Sequence, residues 1–241
     1  MCKERPMRFR HELKYLINEG DAALIRQRLD AALQPDAHAL NGRYHIRSLY
    51  FDDYYDTAYL DKLGGFGDRR KYRIRIYNLS DQVIRLECKI KRDSYICKLS
   101  APLTREELDG IWAGRCGFLL ERPEPVCRQF YYEHTARVLR PRVYVDYERE
   151  PYVLEAGDVR VTFDRDVRAA YPGRPMFDGD LFFTHALEPG KLVMEVKYTE
   201  FLPKLVQQIL PPRAAERSAV SKYTLCCDRV NHLTAKNFQT V

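Results

Sequence analysis

The feature that most constrains this chain is a repeated alternation of charged and apolar residues. Its clearest example is the segment KYRIRIY, residues 71–77. In an extended strand, Lys71, Arg73 and Arg75 lie on one face and apolar residues lie on the other. Successive cations on that face stand about 7 Å apart and repel one another. No residue of the segment neutralises them, so the segment alone does not explain its own charge.

The same alternation recurs along the chain and predicts eight strands. These strands are Arg8–Ile17, Tyr44–Phe51, Arg69–Tyr77, Val83–Lys91, Tyr95–Leu99, Arg142–Arg149, Val159–Asp164 and Lys191–Thr199. Helical spacing, capping signals and proline stops predict helices over 21–33, 104–113, 124–139, 203–210 and 218–231. Because strands dominate the middle and helices surround them, we expect an antiparallel α+β fold. No linker or repeat divides the 241 residues, which indicates a single domain over residues 1–241.

The charged strand faces allow two geometries. In the first, an open antiparallel sheet turns its charged face to water. Exposed faces usually mix small polar and charged residues, however, because like charges in neighbouring positions cost stability. In the second geometry the sheet closes into a barrel, its apolar faces pack against helices outside, and its charged faces point inward. The barrel fits better, and its interior would hold arginine and lysine at a density that a polyanion neutralises. A few carboxylates among these bases suit a divalent cation.

Composition sets limits on the partners and the location of the protein. The formal net charge of +6 permits a polyanionic partner without requiring one. The seven cysteines include no CxxC pair, so we expect reduced, buried cysteines and no zinc site. The polar, basic N-terminus lacks the apolar core of a signal peptide, and no apolar run reaches the roughly 20 residues of a membrane span. We therefore expect a cytoplasmic protein without a transmembrane segment.

Several common functional classes lack their motifs in this sequence. There is no Walker A motif, no GxGxxG and no GxSxG. No signature of a zinc finger, a helix-turn-helix or an RNA-recognition motif occurs, and most aromatic residues lie at positions predicted to be buried. We expect no nucleic-acid partner. The sequence leaves the oligomeric state open.

Seven motifs, taken in order, resemble those of a known family. They are RHELKYLI, IRSLYFDDYYDTAYLDKLGG, KYRIRIY, RLECKIKR, VRVTFDRDVRA, LVMEVKY and SKY, and together they extend over roughly residues 8–225. The pattern resembles a VTC domain, the polyphosphate polymerase branch of the triphosphate tunnel metalloenzymes, which also include the CYTH-type triphosphatases. The resemblance implies an antiparallel eight-stranded β-barrel tunnel with flanking helices.

The resemblance also implies roles for individual residues. Catalytic roles fall on Lys14, Arg75 and Lys222, and metal binding on Glu195. The positions implied to bind phosphate are Arg47, Arg73, Lys89, Lys98, Arg149, Arg160 and Ser221. Glu12 and Glu87 are candidates to assist the metal, and the alternative for each is a salt bridge with a neighbouring base. Arg10, Lys91 and Lys197 share the inward side of their strands and are candidates to line the tunnel.

One departure from the related triphosphatases bears on the reaction. Those enzymes begin with an ExExK strand, whereas this chain has Arg10, Glu12 and Lys14 at the equivalent positions. Fewer carboxylates and more bases favour retention of a long anionic product over hydrolysis of a short one. We therefore expect a polyphosphate polymerase that uses ATP, inorganic polyphosphate and Mn²⁺ or Mg²⁺. The alternatives are a tunnel triphosphatase or polyphosphatase and a non-catalytic module that binds polyanions.

Overall fold

The chain forms a curled antiparallel sheet that is packed against helices. The computed structural model describes residues 10–39, 41–93, 95–210 and 220–238. The strands are β1 (His11–Asn18), β2 (Gln34–Pro35), β3 (Tyr44–Asp52), β4 (Arg69–Tyr77), β5 (Ser80–Arg92), β6 (Tyr95–Leu103), β7 (Arg140–Leu154), β8 (Val159–Ala170), β9 (Thr184–His185) and β10 (Lys191–Tyr198). The helices are α1 (Glu19–Asp30), α2 (Thr57–Leu63), α3 (Arg105–Trp112), α4 (Pro125–Arg137), α5 (Lys204–Ile209) and α6 (Lys222–Phe238).

Eight of these strands form one continuous path of hydrogen-bonded neighbours. Their order is β1-β10-β8-β7-β3-β4-β5-β6, and the short strands β2 and β9 pair with β7 and β8. At the two ends of the path, Arg10 and Ile96 exchange backbone hydrogen bonds of 3.0 and 3.1 Å. This single bridge brings the two ends of the path together at one point, so the curled sheet has the shape of a barrel that, within the described residues, is closed only there. The predicted antiparallel α+β fold with eight main strands is therefore confirmed.

Two layers of helices cover the outside of the sheet. Helices α3 and α4 pack on β4 to β6, in a core that contains Ile74, Leu86 and Phe130. Helices α1 and α5 pack on β1, β8 and β10, in a core that contains Leu29 and Met194. Burial of these apolar faces drives the sheet to curl around its polar face.

Helix α6 lies on the opposite side of the sheet, against the inner face of β3, β7 and β8. A third core joins Ile46, Val145 and Val167 of these strands to Cys226 and Val230 of α6. Some apolar residues of these three strands therefore point inward, unlike those of β4 and β5, whereas Leu49 of β3 and Val161 of β8 still pack in the outer cores. The first turn of α6 lies inside the barrel, where it brings Lys222 among the inward-facing side chains.

A two-residue hairpin joins the charged strands β4 and β5. Its turn residues are Asn78 and Leu79, with φ angles of 51° and 55°. Both angles are positive, as in a type I′ turn, whose twist matches that of the flanking strands. The register shifts between Tyr77 and Arg75, and beyond this shift Arg73 lies opposite Glu87 and Lys71 opposite Lys89.

Several predicted boundaries differ from the structure. Strand β7 extends from Arg140 to Leu154, and β8 continues to Ala170, because residues beyond the predicted ends pair with β3 and with each other. The start of the first predicted strand, at Arg8, lies outside the described residues. Helix α2 is missing from the prediction. It has no buried residue and no side-chain cap from its own N-cap position, so neither of the usual signals marks it.

None of the described helices is long and apolar enough to cross a membrane.

Candidate active site

The arginines of KYRIRIY receive their counter-charge from the neighbouring strand. Arg73 Nε lies 2.8 Å from Glu87 Oε2, and Arg75 Nη1 lies 3.9 Å from the same oxygen. On the other side, Lys98 Nζ lies 2.6 Å from Glu87 Oε1. Burial opposes ionisation of Glu87, but these three cations outweigh it and hold the pKa of the carboxyl well below its usual range. Glu87 is thus an internal counterion of the cationic strand β4.

A second buried carboxylate, Glu12, lies where β1 faces β5 across the barrel. Lys89 Nζ lies 2.9 Å from both carboxylate oxygens of Glu12, and Lys14 Nζ lies 3.0 Å from Oε1. Lys14 also reaches Glu195 Oε1 at 3.3 Å. Burial would raise the pKa of Glu12, but Lys14 and Lys89 lower it well below its usual range. One ammonium group therefore joins two carboxylates from neighbouring strands.

The third centre combines Asp164 and Glu195 with three bases. Arg149 forms two hydrogen bonds with Asp164, of 2.6 and 2.7 Å. Lys222, from the first turn of α6, contacts Asp164 and lies 2.8 Å from Glu195 Oε1. Lys197 lies 3.1 Å from Glu195 Oε2. Burial disfavours both anions, but the surrounding bases dominate and lower the pKa of each carboxyl. This centre also attaches α6 to the barrel wall.

Asp164 is a site residue that the sequence-based prediction omitted. It is fully buried and shares its strand face with the predicted Arg160, so the alternation in VRVTFD placed it correctly. What the sequence did not indicate is its partner, because Lys222 lies 58 residues further along the chain.

Three hydroxyl groups hold the guanidinium groups of β4, and the sequence-based prediction omitted all three. Arg75 donates to Ser48 Oγ at 3.2 Å and to the hydroxyl of Tyr147 at 3.1 Å. Arg73 donates to the hydroxyl of Tyr50 at 2.7 Å. Tyr147 shares the strand face of Arg149, which is a signal that the sequence offered. The inward direction of Ser48 and Tyr50 depends on the position of α6, which the alternation of β3 does not reveal.

The start of α6 is held by a link to strand β3. The Tyr223 hydroxyl donates to the buried Asp52 carboxylate, which also accepts hydrogen bonds from the amides of Ala58 and Tyr59 in α2. Ser221 precedes the helix, and its Oγ accepts a hydrogen bond of 3.4 Å from the Thr224 amide. The structure therefore places Ser221 at the helix start, next to Lys222.

The structure contradicts the prediction that Arg47 lines the tunnel. Arg47 lies on the outer face of β3, with its Nη2 3.0 Å from the fully buried Asp146 and its guanidinium 4.6 Å from the ring centroid of Phe183. The prediction assumed that the apolar residues of β3 face outward. Because α6 packs on the inner face, Ile46 and Ser48 point inward and Arg47 points away from the tunnel.

Replacing Arg47 with methionine is expected to lower stability and to leave turnover per folded molecule unchanged. The change leaves Asp146 buried with His45 as its remaining close partner, at a cost of about 3 kcal/mol. Urea unfolding measures the loss of stability, and turnover normalised to folded protein measures the activity. If Arg47→Met lost turnover per folded molecule and kept its stability, the result would show that Arg47 acts inside the tunnel.

Three further predicted residues lie toward the ends of the barrel. Arg160 reaches Asp36 at 2.6 Å. Arg10 reaches Asp158 at 3.1 Å, and both side chains are largely exposed. Lys91 lies opposite Arg69 of β4.

The interior holds more positive than negative charge. Eight cations share four carboxylates, which are Glu12, Glu87, Asp164 and Glu195. The eight are Lys14, Arg73, Arg75, Lys89, Lys98, Arg149, Lys197 and Lys222. Low-dielectric walls strengthen the potential of this excess. An elongated anion that enters the barrel would meet donors on several of its strands.

The geometry of Glu12 and Glu195 is compatible with a divalent cation. Both carboxylates converge on the Lys14 ammonium, which shows that one positive charge can be held between them. Among the described residues, no group of three or more aspartate, glutamate, histidine or cysteine side chains is arranged to hold a metal ion. Mg²⁺ and similar ions commonly take one or two carboxylates and complete their coordination with phosphate oxygens and water. The residues therefore fit a metal ion that binds together with a phosphate ligand.

Comparison with known proteins identifies related sequences and structures. The family model described as "VTC domain" matches residues 9–231. No curated protein matches the chain.

Among solved structures, a putative adenylyl cyclase from Hippeastrum is similar at a TM-score of 0.56 and 14% identity, over 92% of this chain and 96% of that chain. Its structure is described as revealing a dominant triphosphatase activity. A protein from Pyrococcus horikoshii OT3 has a TM-score of 0.48 and 14% identity, over 91% of this chain and 99% of that chain. A putative adenylate cyclase from Bacillus halodurans has a TM-score of 0.47 and 11% identity, over 79% and 82% of the two chains. The similarity to the Hippeastrum protein extends over nearly the whole of both chains and supports the tunnel fold.

Proposed function

The chain belongs to the VTC domain family, and from this premise we propose that it is a polyphosphate polymerase. The proposed reaction transfers the γ-phosphoryl group of ATP to the end of an inorganic polyphosphate chain inside the barrel. The observation that carries the proposal is the two-to-one excess of cations over carboxylates in the ion-pair network around Glu12, Glu87, Asp164 and Glu195. A chain of phosphate groups supplies the missing negative charge along the length of the barrel.

The basic residues would bind and orient the phosphate groups. Arg73, Arg75 and Arg149 carry planar guanidinium groups, which match phosphate oxygens with paired hydrogen bonds. Lys14 contacts Glu12 and Glu195, Lys222 contacts Asp164 and Glu195, and both lysines would act as compact point charges. Positioning and charge stabilisation supply most of the rate enhancement in phosphoryl transfer.

The proposed phosphoryl transfer requires no strong general base. An oxygen of the chain-end phosphate forms a bond to the γ-phosphorus, and the bond from that phosphorus to the β–γ bridging oxygen breaks, which releases ADP. The attacking oxygen belongs to an oxyanion that is largely deprotonated at neutral pH. The buried bases would stabilise the charge on the transferring group and on the departing ADP.

Glu195, with Glu12, would hold Mn²⁺ or Mg²⁺ together with phosphate oxygens. When bound, such an ion neutralises negative charge on the phosphate groups and polarises the transferring phosphoryl group. Lys14 and Lys222 already contact Glu195, so these two bases would keep the carboxylate ionised and oriented toward the interior.

A tunnel triphosphatase is the second candidate, and the described activity of the Hippeastrum protein favours it. Hydrolysis requires water beside the terminal phosphate, whereas synthesis requires a second phosphate chain in that place. The cation excess favours a second anionic substrate over neutral water. The two functions differ in their products, since synthesis yields ADP and a longer chain and hydrolysis yields free orthophosphate.

Purified protein incubated with ATP, a short polyphosphate primer and Mn²⁺ is expected to release ADP and to lengthen the primer. ADP and orthophosphate are quantified separately, and chain length is read on a polyacrylamide gel. Orthophosphate equal to ADP, with a primer of unchanged length, would establish the hydrolase instead.

The same assay with Glu195→Gln separates an enzyme from a non-catalytic module. The polymerase is expected to lose most of its metal-dependent turnover, since the amide cannot replace the carboxylate charge. A binding module would show no turnover in the unmodified protein and would bind polyphosphate equally well with and without the substitution.

A further inference from the structure

Lys71 occupies an unusual position among the inward-facing bases. It lies opposite Lys89 of β5, and Lys89 lies opposite Lys98 of β6, so three lysines form one row across three strands. Within the described part of the chain, no carboxylate oxygen lies within 4.0 Å of Lys71, whereas Lys89 contacts Glu12. The Lys71 ammonium instead lies over the ring of Tyr223 in α6, at 4.4 Å from the ring centroid.

The charged groups that face Lys71 are mostly cations. Burial is the largest cause that lowers its pKa, followed by Lys89 of β5, Arg69 of β4 and Lys14 of β1, whereas Cys227 of α6 acts in the opposite direction. Together these causes lower the pKa of Lys71 to about 7. The uncharged amine is therefore far more populated near neutral pH than it is for an ordinary lysine.

Like charges directly opposite in a sheet are unfavourable, and Lys71 avoids part of this cost by releasing its proton. A phosphate anion that binds beside Lys71 raises the pKa of the amine, because a neighbouring negative group favours the charged form. The row is then suited to phosphate, with two ammonium groups already paired to carboxylates and a third that becomes charged when the ligand arrives.

We infer that Lys71, Lys89 and Lys98 form a phosphate subsite beside the first turn of α6, in which Lys71 takes up a proton from solvent when the phosphate binds. The inference rests on the proposed function, since it requires phosphate groups inside the barrel. It adds a proton-linked step to binding. Affinity is highest below about pH 7, where Lys71 is already charged, and falls as the pH rises toward the higher pKa of the bound state.

The test is calorimetric titration of the full chain with inorganic tripolyphosphate at pH 8, in buffers of different ionisation enthalpy and without metal. The unmodified protein is expected to take up measurably more protons per bound ligand than Lys71→Arg, by at most about one, because the arginine is charged throughout. Burial lowers the pKa of Lys89 to about 8 despite Glu12, and Lys89 is present in both proteins, so the difference between them reports the change at position 71 and its effect on this neighbour.

A second variant measures the contribution of the charge itself. Lys71→Met is expected to bind tripolyphosphate about tenfold more weakly than Lys71→Arg, at the scale of one charged hydrogen bond. Equal proton uptake by the unmodified protein and Lys71→Arg, or equal affinity of the two variants, would overturn the subsite. If none of the three proteins bound tripolyphosphate, the proposed function would fail as well, so the two failures are distinguishable.

Discussion

Replacing Asp164 with asparagine is expected to lower the free energy of unfolding by about 3–5 kcal/mol. Asp164 is fully buried and is the shared partner of Arg149 and Lys222. The substitution keeps the size of the side chain and removes its charge, which leaves two buried cations with Glu195 as their remaining carboxylate. The cost of burying a charge without its partner exceeds the gain from the pair itself.

Urea unfolding at pH 7 measures this loss, and Asp109→Asn is the matched control. Asp109 pairs with Arg105 on α3, and both side chains are largely exposed, so the control is expected to change stability by less than about 1 kcal/mol. The pKa of Asp164 is lowered in the folded protein. Its stabilisation is therefore present above the ordinary pKa of about 4 and declines as the pH falls below it. A loss at pH 7 no larger than that of the control would show that the three charges are not coupled as described.

Replacing Arg75 with methionine is expected to reduce turnover about 10²–10³-fold, the scale for loss of one preorganised donor to a developing charge. Arg75 faces the interior, where Ser48 and Tyr147 orient its guanidinium group. The hydroxyl partners remain after the substitution, but neither can supply the positive charge that a transferring phosphoryl group requires.

Arg47→Met is the matched control, since Arg47 lies one residue from the position opposite Arg75 and points to the other face of the sheet. Both variants replace arginine with methionine, and they differ in the face of the sheet on which the residue lies. Comparable losses of turnover per folded molecule in the two variants would contradict the assignment of the inner face as the active site. The comparison is made at saturating ATP and primer, with folded protein quantified by its unfolding transition.

The alternation of charge predicted most of the barrel, and its one clear error has a physical cause. In β4, β5 and β10 the apolar face packs on outer helices, so Arg73, Glu87 and Glu195 point inward as predicted. In β3 the same rule fails at Arg47, because α6 also buries the inner face, so that both faces of this strand carry apolar residues. A period-two pattern separates the two faces of a strand without showing which one lies inside.

The sequence also did not predict which side chains the inward-facing residues contact. The link of Lys222 to Asp164 and the link of Tyr223 to Asp52 both depend on where α6 enters the barrel. That position results from packing against three strands far away in the sequence. The family resemblance indicated Ser221, Lys222 and Glu195, but it did not indicate Asp164 and Asp52, which also hold the helix.

The most direct test of the central claim follows the γ-phosphate of ATP. The protein is incubated with ATP labelled with ³²P at the γ position, an unlabelled polyphosphate primer and Mn²⁺, and the products are separated by gel electrophoresis. We predict that the label enters acid-labile chains longer than the primer in an amount equal to the ADP formed. Label found only in orthophosphate would contradict the account.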